Sequence, residues 1–136
     1  MFFEFLIEQW LLVTAWGVLL FLLFHHESRK GGQAVSPQQL STMVNRDEAL
    51  VLDVRDSKEF GKGHITESVN IPLKDLPDRL SELAKHKEKP VIVVCKMGHQ
   101  SGGAGKILGA NGFNQIYKLR GGLTEWTASH FPLVKS

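Results

Sequence analysis

Residues 90–101 read PVIVVCKMGHQS. The run 91–94, opened by a proline, is apolar without alternation. That pattern predicts a short strand buried on both faces, as in a parallel sheet covered by helices. The run ends at Cys95. A polar, glycine-containing loop, Lys96-Met97-Gly98-His99-Gln100-Ser101, then separates it from helical periodicity over 101–110, where Ala104, Ile107 and Leu108 face inward and Asn111-Gly112 is the stop signal. In a doubly covered parallel sheet, ligands bind beyond the carboxyl ends of the strands. A thiol placed there meets the N–H groups of a tight loop and then a helix N-terminus, surroundings that favour the nucleophilic thiolate. The same N–H groups would stabilise negative charge developing on sulfur or oxygen, and Lys96 and His99 bring positive charge nearby. The plain alternative is a buried structural cysteine; the polar loop directly after it argues for chemistry.

Outward from this stretch, strand and helix signals alternate. Ser36-Pro37-Gln38-Gln39 is a capping-box pattern with proline at the first helical position, and Leu40, Met43 and Val44 follow at helical spacing. Segment 49–54 (ALVLDV) reads as a strand, and 71–73 as an edge strand interrupted at Pro72. Segment 75–86 carries Leu76, Leu80 and Leu83 on one helical face, with lysines at its end, where they suit the helix dipole. Segment 115–119 (QIYKL) is a further strand, Gly121-Gly122 a turn, and 123–130 a last helix with Trp126 on its apolar side. Repeated β-then-α units imply an α/β domain built on a central parallel sheet.

The first 28 residues have a different character. Segment 5–24, FLIEQWLLVTAWGVLLFLLF, holds twenty residues, which at ~1.5 Å each span the ~30 Å hydrocarbon core of a bilayer. Trp10, Trp16 and Gly17 are compatible with such a span, and Glu8 lies within reach of the interface, where its cost is small. A cleaved leader would need a basic n-region, yet the charged side chains here are Glu4 and Glu8, and no Ala-x-Ala site follows. A buried core helix would show a polar stripe. The expectation is therefore a transmembrane anchor over 1–28, a flexible polar linker over 29–35 around Gly31-Gly32, and a folded domain over 36–136.

Charge and cysteine content exclude several classes. All sixteen Lys and Arg residues lie at or beyond Arg29, with eleven of the fourteen acidic ones, and they are scattered. No clustered basic face points to nucleic acid. The single cysteine excludes an intrachain disulfide and a Cys-rich metal site, and the adjacent His25-His26 is better read as interfacial; neither a metal nor another cofactor is expected. A Cys-x5-Arg phosphatase loop would need an arginine to hold phosphate, and neither Gln100 nor Ser101 supplies it. Gly105-Lys106 lacks the first glycine and the Ser/Thr of a P-loop.

Three segments together resemble the rhodanese-like sulfurtransferases in their single-domain form: LDVRDSKEFGKGHITESVNIP (52–72), CKMGHQS (95–101) and LRGGLTEWTASHFPL (119–133). The resemblance covers 36–133. It implies a sulfane-sulfur transfer in which Cys95 takes sulfur from a donor such as thiosulfate, holds it as a persulfide cradled by the amides of 96–101, and passes it to a small-molecule or protein thiol. By position it places Asp53 and Arg55 beside the pocket in a supporting role, with His64 structural. Many thiosulfate-using members carry arginine where Lys96 and Gln100 stand, so the resemblance does not single out thiosulfate as the donor. The contrasting reading is a membrane-tethered module that kept the fold for binding or redox sensing.

Arg29 and Lys30 directly follow the span and only the α-amino group is basic before it, so the positive-inside tendency places the C-terminal domain in the cytoplasm. A topology reporter fused after residue 136 is accordingly expected to be active in its cytoplasmic form and silent in its periplasmic form; the reverse pattern would overturn the orientation.

Overall fold

The computed structural model describes residues 2–30 and 32–135, without the side chains of 26–30. Helix α1, Phe2–Lys30, opens the chain. Its segment Phe2–His25 is long and apolar enough to cross a membrane, and none of its most apolar window is buried against the rest of the protein. A core helix would be covered, so that reading fails. Gly31 and the side chains of His26, Arg29 and Lys30 lie outside the described residues.

Five parallel strands follow: β1 Gln33–Val35, β2 Leu50–Asp53, β3 Val69–Asn70, β4 Val91–Val94 and β5 Ile116–Leu119, in the order β1-β5-β4-β2-β3. Residues 91–94 are fully enclosed, as their unbroken apolar character requires. Because side chains alternate across the sheet, β2 and β4 feed two cores. Leu50, Leu52, Val91, Val93 and Cys95 face one layer with Leu76, Leu83, Ala104 and Leu108. Val51, Ile92 and Val94 face the other with Leu40, Leu123 and Trp126.

The helices are α2 Pro37–Asp47, α3 Ser57–Lys62, α4 Leu76–Arg79, α5 Ser101–Ala110 and α6 Gly122–Ala128. The capping box at the start of α2 is formed in both directions: the Gln39 N–H donates to Ser36 Oγ at 3.1 Å, and the Ser36 N–H to Gln39 Oε1 at 2.8 Å. The α5 boundaries are those expected from sequence.

Three local expectations are corrected, and one helix is added. Gln33–Val35 does not belong to a linker; it is the edge strand on β5, with Val35 buried. Three residues are too few to show a period, and the open edge of β5 is what orders them. Segment 71–73 is not a strand. Pairing occurs one step earlier, at Val69–Asn70 against Leu52–Asp53, and Pro72, which has no N–H to give, marks the change to a 3-10 helix at Leu73–Asp75. The single helix expected over 75–86 divides into α4 and a 3-10 helix, Leu80–His86, whose three-residue turn stacks Leu80 and Leu83 toward the core. Helix α3 has no counterpart among the elements expected from the sequence; it is only six residues long and contains Gly61.

The edge strand makes the domain boundary testable. A chain beginning at residue 36 should be less stable to urea than one beginning at residue 32 by about 2–3 kcal/mol, from loss of Val35 burial and its ladder bonds. It should also aggregate more readily through the bared β5 edge. Equal stability would mean that the strand contributes nothing.

Candidate active site

Cys95 follows directly on β4, and its side chain lies on the same face of the sheet as Val91 and Val93, with only 2% of the residue exposed. The chain must then turn sharply before α5 begins at Ser101. It does so at Gly98, whose φ of +92° is a conformation that side chains rarely adopt. The turn aims the Gly98 N–H back at the thiol, 2.9 Å from Sγ. Among the described residues this is the one loop amide hydrogen-bonded to the sulfur. Ser101, fully buried, donates from Oγ to the Gly98 carbonyl at 3.0 Å and holds the turn closed. The amino end of α5, with its partial positive charge, starts at the same point.

The loop rests on α6. The Leu123 N–H donates to the Cys95 carbonyl at 2.9 Å, and the Thr124 N–H and Oγ1 both donate to the Lys96 carbonyl at 3.0 Å. This close approach is possible because Gly122 has no side chain: a Cβ there would stand 2.3 Å from the Cys95 carbonyl oxygen, at a φ of +59°. The pair Gly121-Gly122, expected only as a turn, is thus the floor of the site. No local sequence signal ties it to a loop some 25 residues earlier.

Arg55 supports the opposite side. Its Nε donates to Asp53 Oδ1 and Oδ2 at 3.0 and 3.1 Å, and its Nη2 donates to Asp53 Oδ2 at 2.8 Å and to the Gly63 carbonyl at 2.7 Å. Asp53 also accepts the Arg55 backbone N–H, and Asn70 Nδ2 donates to the carbonyls of Asp53 and Arg55. The segment leaving β2 is therefore tied at several points. His64 stands apart: its Nδ1–H donates to the Phe60 carbonyl at 2.8 Å, its ring stacks on Phe60 at 3.8 Å, and its backbone pairs with Val134.

A cleft of about 280 Å3 opens between these parts. Lys96, Met97, His99 and Gln100 form the loop side, Arg55, Asp56 and Glu59 the other, and Cys95 also lines it. It lies just below the ordinary range for small-molecule pockets. Of the residues expected at the site, Gly98 and Ser101 shape the loop from within, and buried Asp53 contributes through Arg55. Asp56 and Glu59 were not expected at the cleft; they lie within the segment 52–72, at and within the first turn of α3, which brings them there. Among the described residues no group of three His, Cys, Asp or Glu could hold a metal ion.

Comparison with known proteins identifies the family and agrees with the fold. The family profile described as a Rhodanese-like domain matches residues 36–129. The chain belongs to the rhodanese family. The uncharacterized protein YibN of Escherichia coli K12 is 35% identical over 104 residues, which cover 76% of this chain and 73% of YibN. The thiosulfate sulfurtransferase GlpE of Stutzerimonas stutzeri is 36% identical over 92 residues, 68% of this chain and 82% of GlpE. Among solved structures, a rhodanese-related protein from Thermoplasma volcanium superimposes with a TM-score of 0.69 at 29% identity, covering 76% of this chain and 99% of that one.

The rhodanese loop and its floor give a paired prediction. Gly122→Ala should destabilise the protein by at least about 1–3 kcal/mol, the range for a strained backbone conformation, with the clash against Cys95 in addition. Gly102→Ala, in α5 where a Cβ meets nothing within 4 Å, should stabilise by roughly 0.5–1 kcal/mol. Thermal unfolding of the two variants reads out the sign of each change. Similar effects would mean that the contact between α6 and the loop is slack.

Proposed function

We propose that the protein is a membrane-anchored sulfurtransferase in which Cys95 carries sulfane sulfur. The observation that carries this reading is the Gly98 N–H directed at Sγ of the sole thiol, at the wall of a cleft of about 280 Å3. The Cys95 thiolate attacks the outer sulfur of a donor. With thiosulfate, the S–S bond breaks, sulfite leaves with the electron pair, and Cys95 becomes a persulfide. An acceptor thiolate then attacks the outer sulfur, Cys95 leaves as thiolate, and the acceptor becomes the persulfide. Each step exchanges one S–S bond for another, or for the acceptor's, so no external oxidant is needed.

Amides of the 96–101 loop suit the bound sulfur because N–H dipoles fixed in advance need no reorganisation as charge shifts onto it. Lys96 is exposed at the rim and offers a point charge in place of a bidentate fork. Since this chain has a single cysteine, no resolving thiol exists within it, and sulfur must leave to an external acceptor. The reading of α1 as an anchor rests on its apolar length and its acidic amino end, which a cleaved leader would not carry. Arg29 and Lys30 support a cytoplasmic domain.

Mass spectrometry of the intact protein tests the carrier role. Incubation with thiosulfate should add one sulfur to the wild type and none to Cys95→Ser, and the added sulfur should persist until a thiol is supplied. Sulfur loading of Cys95→Ser, or obligatory formation of Cys95-linked dimers, would refute the mechanism. Lys96→Ala should raise the KM for thiosulfate about fivefold, the effect of losing an exposed charge contact worth about 1 kcal/mol, and Lys96→Arg should lower it. Unchanged kinetics in both variants would remove Lys96 from donor binding.

A further inference from the structure

We infer that the thiol to which Cys95 hands its sulfur is a small zwitterion, with an ammonium and a carboxylate close to its own sulfur, as in free cysteine. This rests on the reading of Cys95 as the sulfur carrier and names the acceptor class for it. The cleft beside Cys95 carries charges of opposite sign on its two sides. Lys96 stands on the loop side with His99, and Arg55, Asp56 and Glu59 stand on the facing side. Two of these charges are already met: Arg55 by Asp53 at 2.8 Å and Glu59, more loosely, by Lys62 at 3.5 Å. Lys96 and Asp56 are exposed, and among the described residues neither side chain makes a hydrogen bond or an ion pair. Asp56 is the N-cap of α3, a position where an aspartate carboxylate ordinarily accepts from a first-turn N–H. Here no such bond is made, and the residue lines the cleft.

A ligand of one sign gains little from this arrangement. An anion drawn to Lys96 meets the Asp56 carboxylate in the same cleft, and a cation drawn to Asp56 meets Lys96. The unmatched charges of the two sides cancel, so the net charge of a ligand counts for little and its internal separation of charge counts for more. A ligand with both signs is favoured by both sides. Because the cleft measures only about 280 Å3, both charges must lie within a few bonds of the reacting sulfur. An α-amino-acid thiol meets that condition, since its ammonium and carboxylate share one carbon and its sulfur is two bonds from that carbon. A slim acceptor also suits the depth of the site: Cys95 is 2% exposed, and the outer sulfur of its persulfide lies only ~2 Å beyond Sγ. The acceptor thiolate attacks that outer sulfur, the S–S bond to Cys95 breaks with its electron pair going to Cys95, and an amino-acid persulfide leaves. One S–S bond replaces another, so no oxidant is consumed.

The full chain in a non-ionic detergent provides the test. Wild type, Asp56→Asn and Lys96→Gln are each loaded with thiosulfate until sulfur uptake is complete and freed of excess donor. Each is then discharged at neutral pH by cysteine, by cationic cysteamine, by anionic 3-mercaptopropionate and by uncharged 2-mercaptoethanol. Loss of the added sulfur is followed by intact-protein mass. For each thiol, dividing the rate in the variant by that in the wild type cancels the thiol's own reactivity. Asp56→Asn should slow cysteine and cysteamine about two- to fivefold, the range for an exposed charge pair, and speed 3-mercaptopropionate. Lys96→Gln should slow cysteine and 3-mercaptopropionate by a similar factor and speed cysteamine. Cysteine is then the thiol slowed by both changes, and 2-mercaptoethanol by neither. Added salt at about 0.5 M should flatten these differences, because the groups are exposed. Variants that alter all four thiols alike, or none of them, or differences that persist in salt, would overturn the inference. Failure of the wild type to take up sulfur would instead sink the carrier role of Cys95, whereas loading followed by discharge blind to charge sinks the acceptor class alone.

Discussion

The cleft depends on how the chain leaves β4. A strand enclosed on both faces delivers its last residue into the core, and here that residue is the buried Cys95. The backbone polar groups that follow cannot remain unpaired there. The Leu123 N–H meets the Cys95 carbonyl, and Thr124 meets that of Lys96, so the amino end of α6 completes hydrogen bonding that the sheet no longer supplies. With its carbonyls drawn toward α6, the loop turns at Gly98 and presents an N–H to the sulfur. One docking contact thus fixes both the position of the thiol and the polarity of its surroundings. Gly122 is the condition for it, since any Cβ would collide with the carbonyl being bound.

Legibility in the sequence followed the range of the forces involved. The β4 run, the capping box at Ser36 and helix α5 are each specified within about ten consecutive residues, by periodicity or by caps, and each was readable. The contiguous loop 95–101 was readable for the same reason. Strand β1 was not, because three residues carry no period and gain order only from the β5 edge. Helix α4 ended early because the Leu80–Leu83 spacing suits a three-residue turn as well as an α-turn, and only packing against the core chooses between them. At the cleft, Asp56 and Glu59 come from one segment and Gly122 from another. Their meeting is a product of sheet order, which no local pattern encodes.

The pair Asp53–Arg55 shows the other constraint on the cleft. Asp53 is 1% exposed and its carboxylate is matched by the backbone N–H and guanidinium of Arg55. Removing one partner of such a buried pair leaves an uncompensated charge, at a cost of about 3–5 kcal/mol. Arg55 is therefore committed: its Nε and Nη2 are occupied by Asp53 and the Gly63 carbonyl, and turning toward an incoming anion would strand the carboxylate. Its presence in the cleft wall contributes shape and a fixed field, its orientation set by Asp53 and the Gly63 carbonyl.

That commitment bears on what the loop must do by itself. With Arg55 paired to Asp53 and Asp56 and Glu59 on the same wall, the mobile positive charge at the cleft rim is exposed Lys96, a flexible point charge. The main-chain donor at the sulfur is the Gly98 N–H, fixed by the turn. Main-chain donors are indifferent to side-chain identity so long as the turn at Gly98 and the floor at Gly122 hold. On that account the side chains of Lys96 and Gln100 are not what holds the turn around Cys95. What those two side chains set is the charge and reach of the cleft rim, while the Gly98 turn and the Gly122 floor fix the backbone around Cys95.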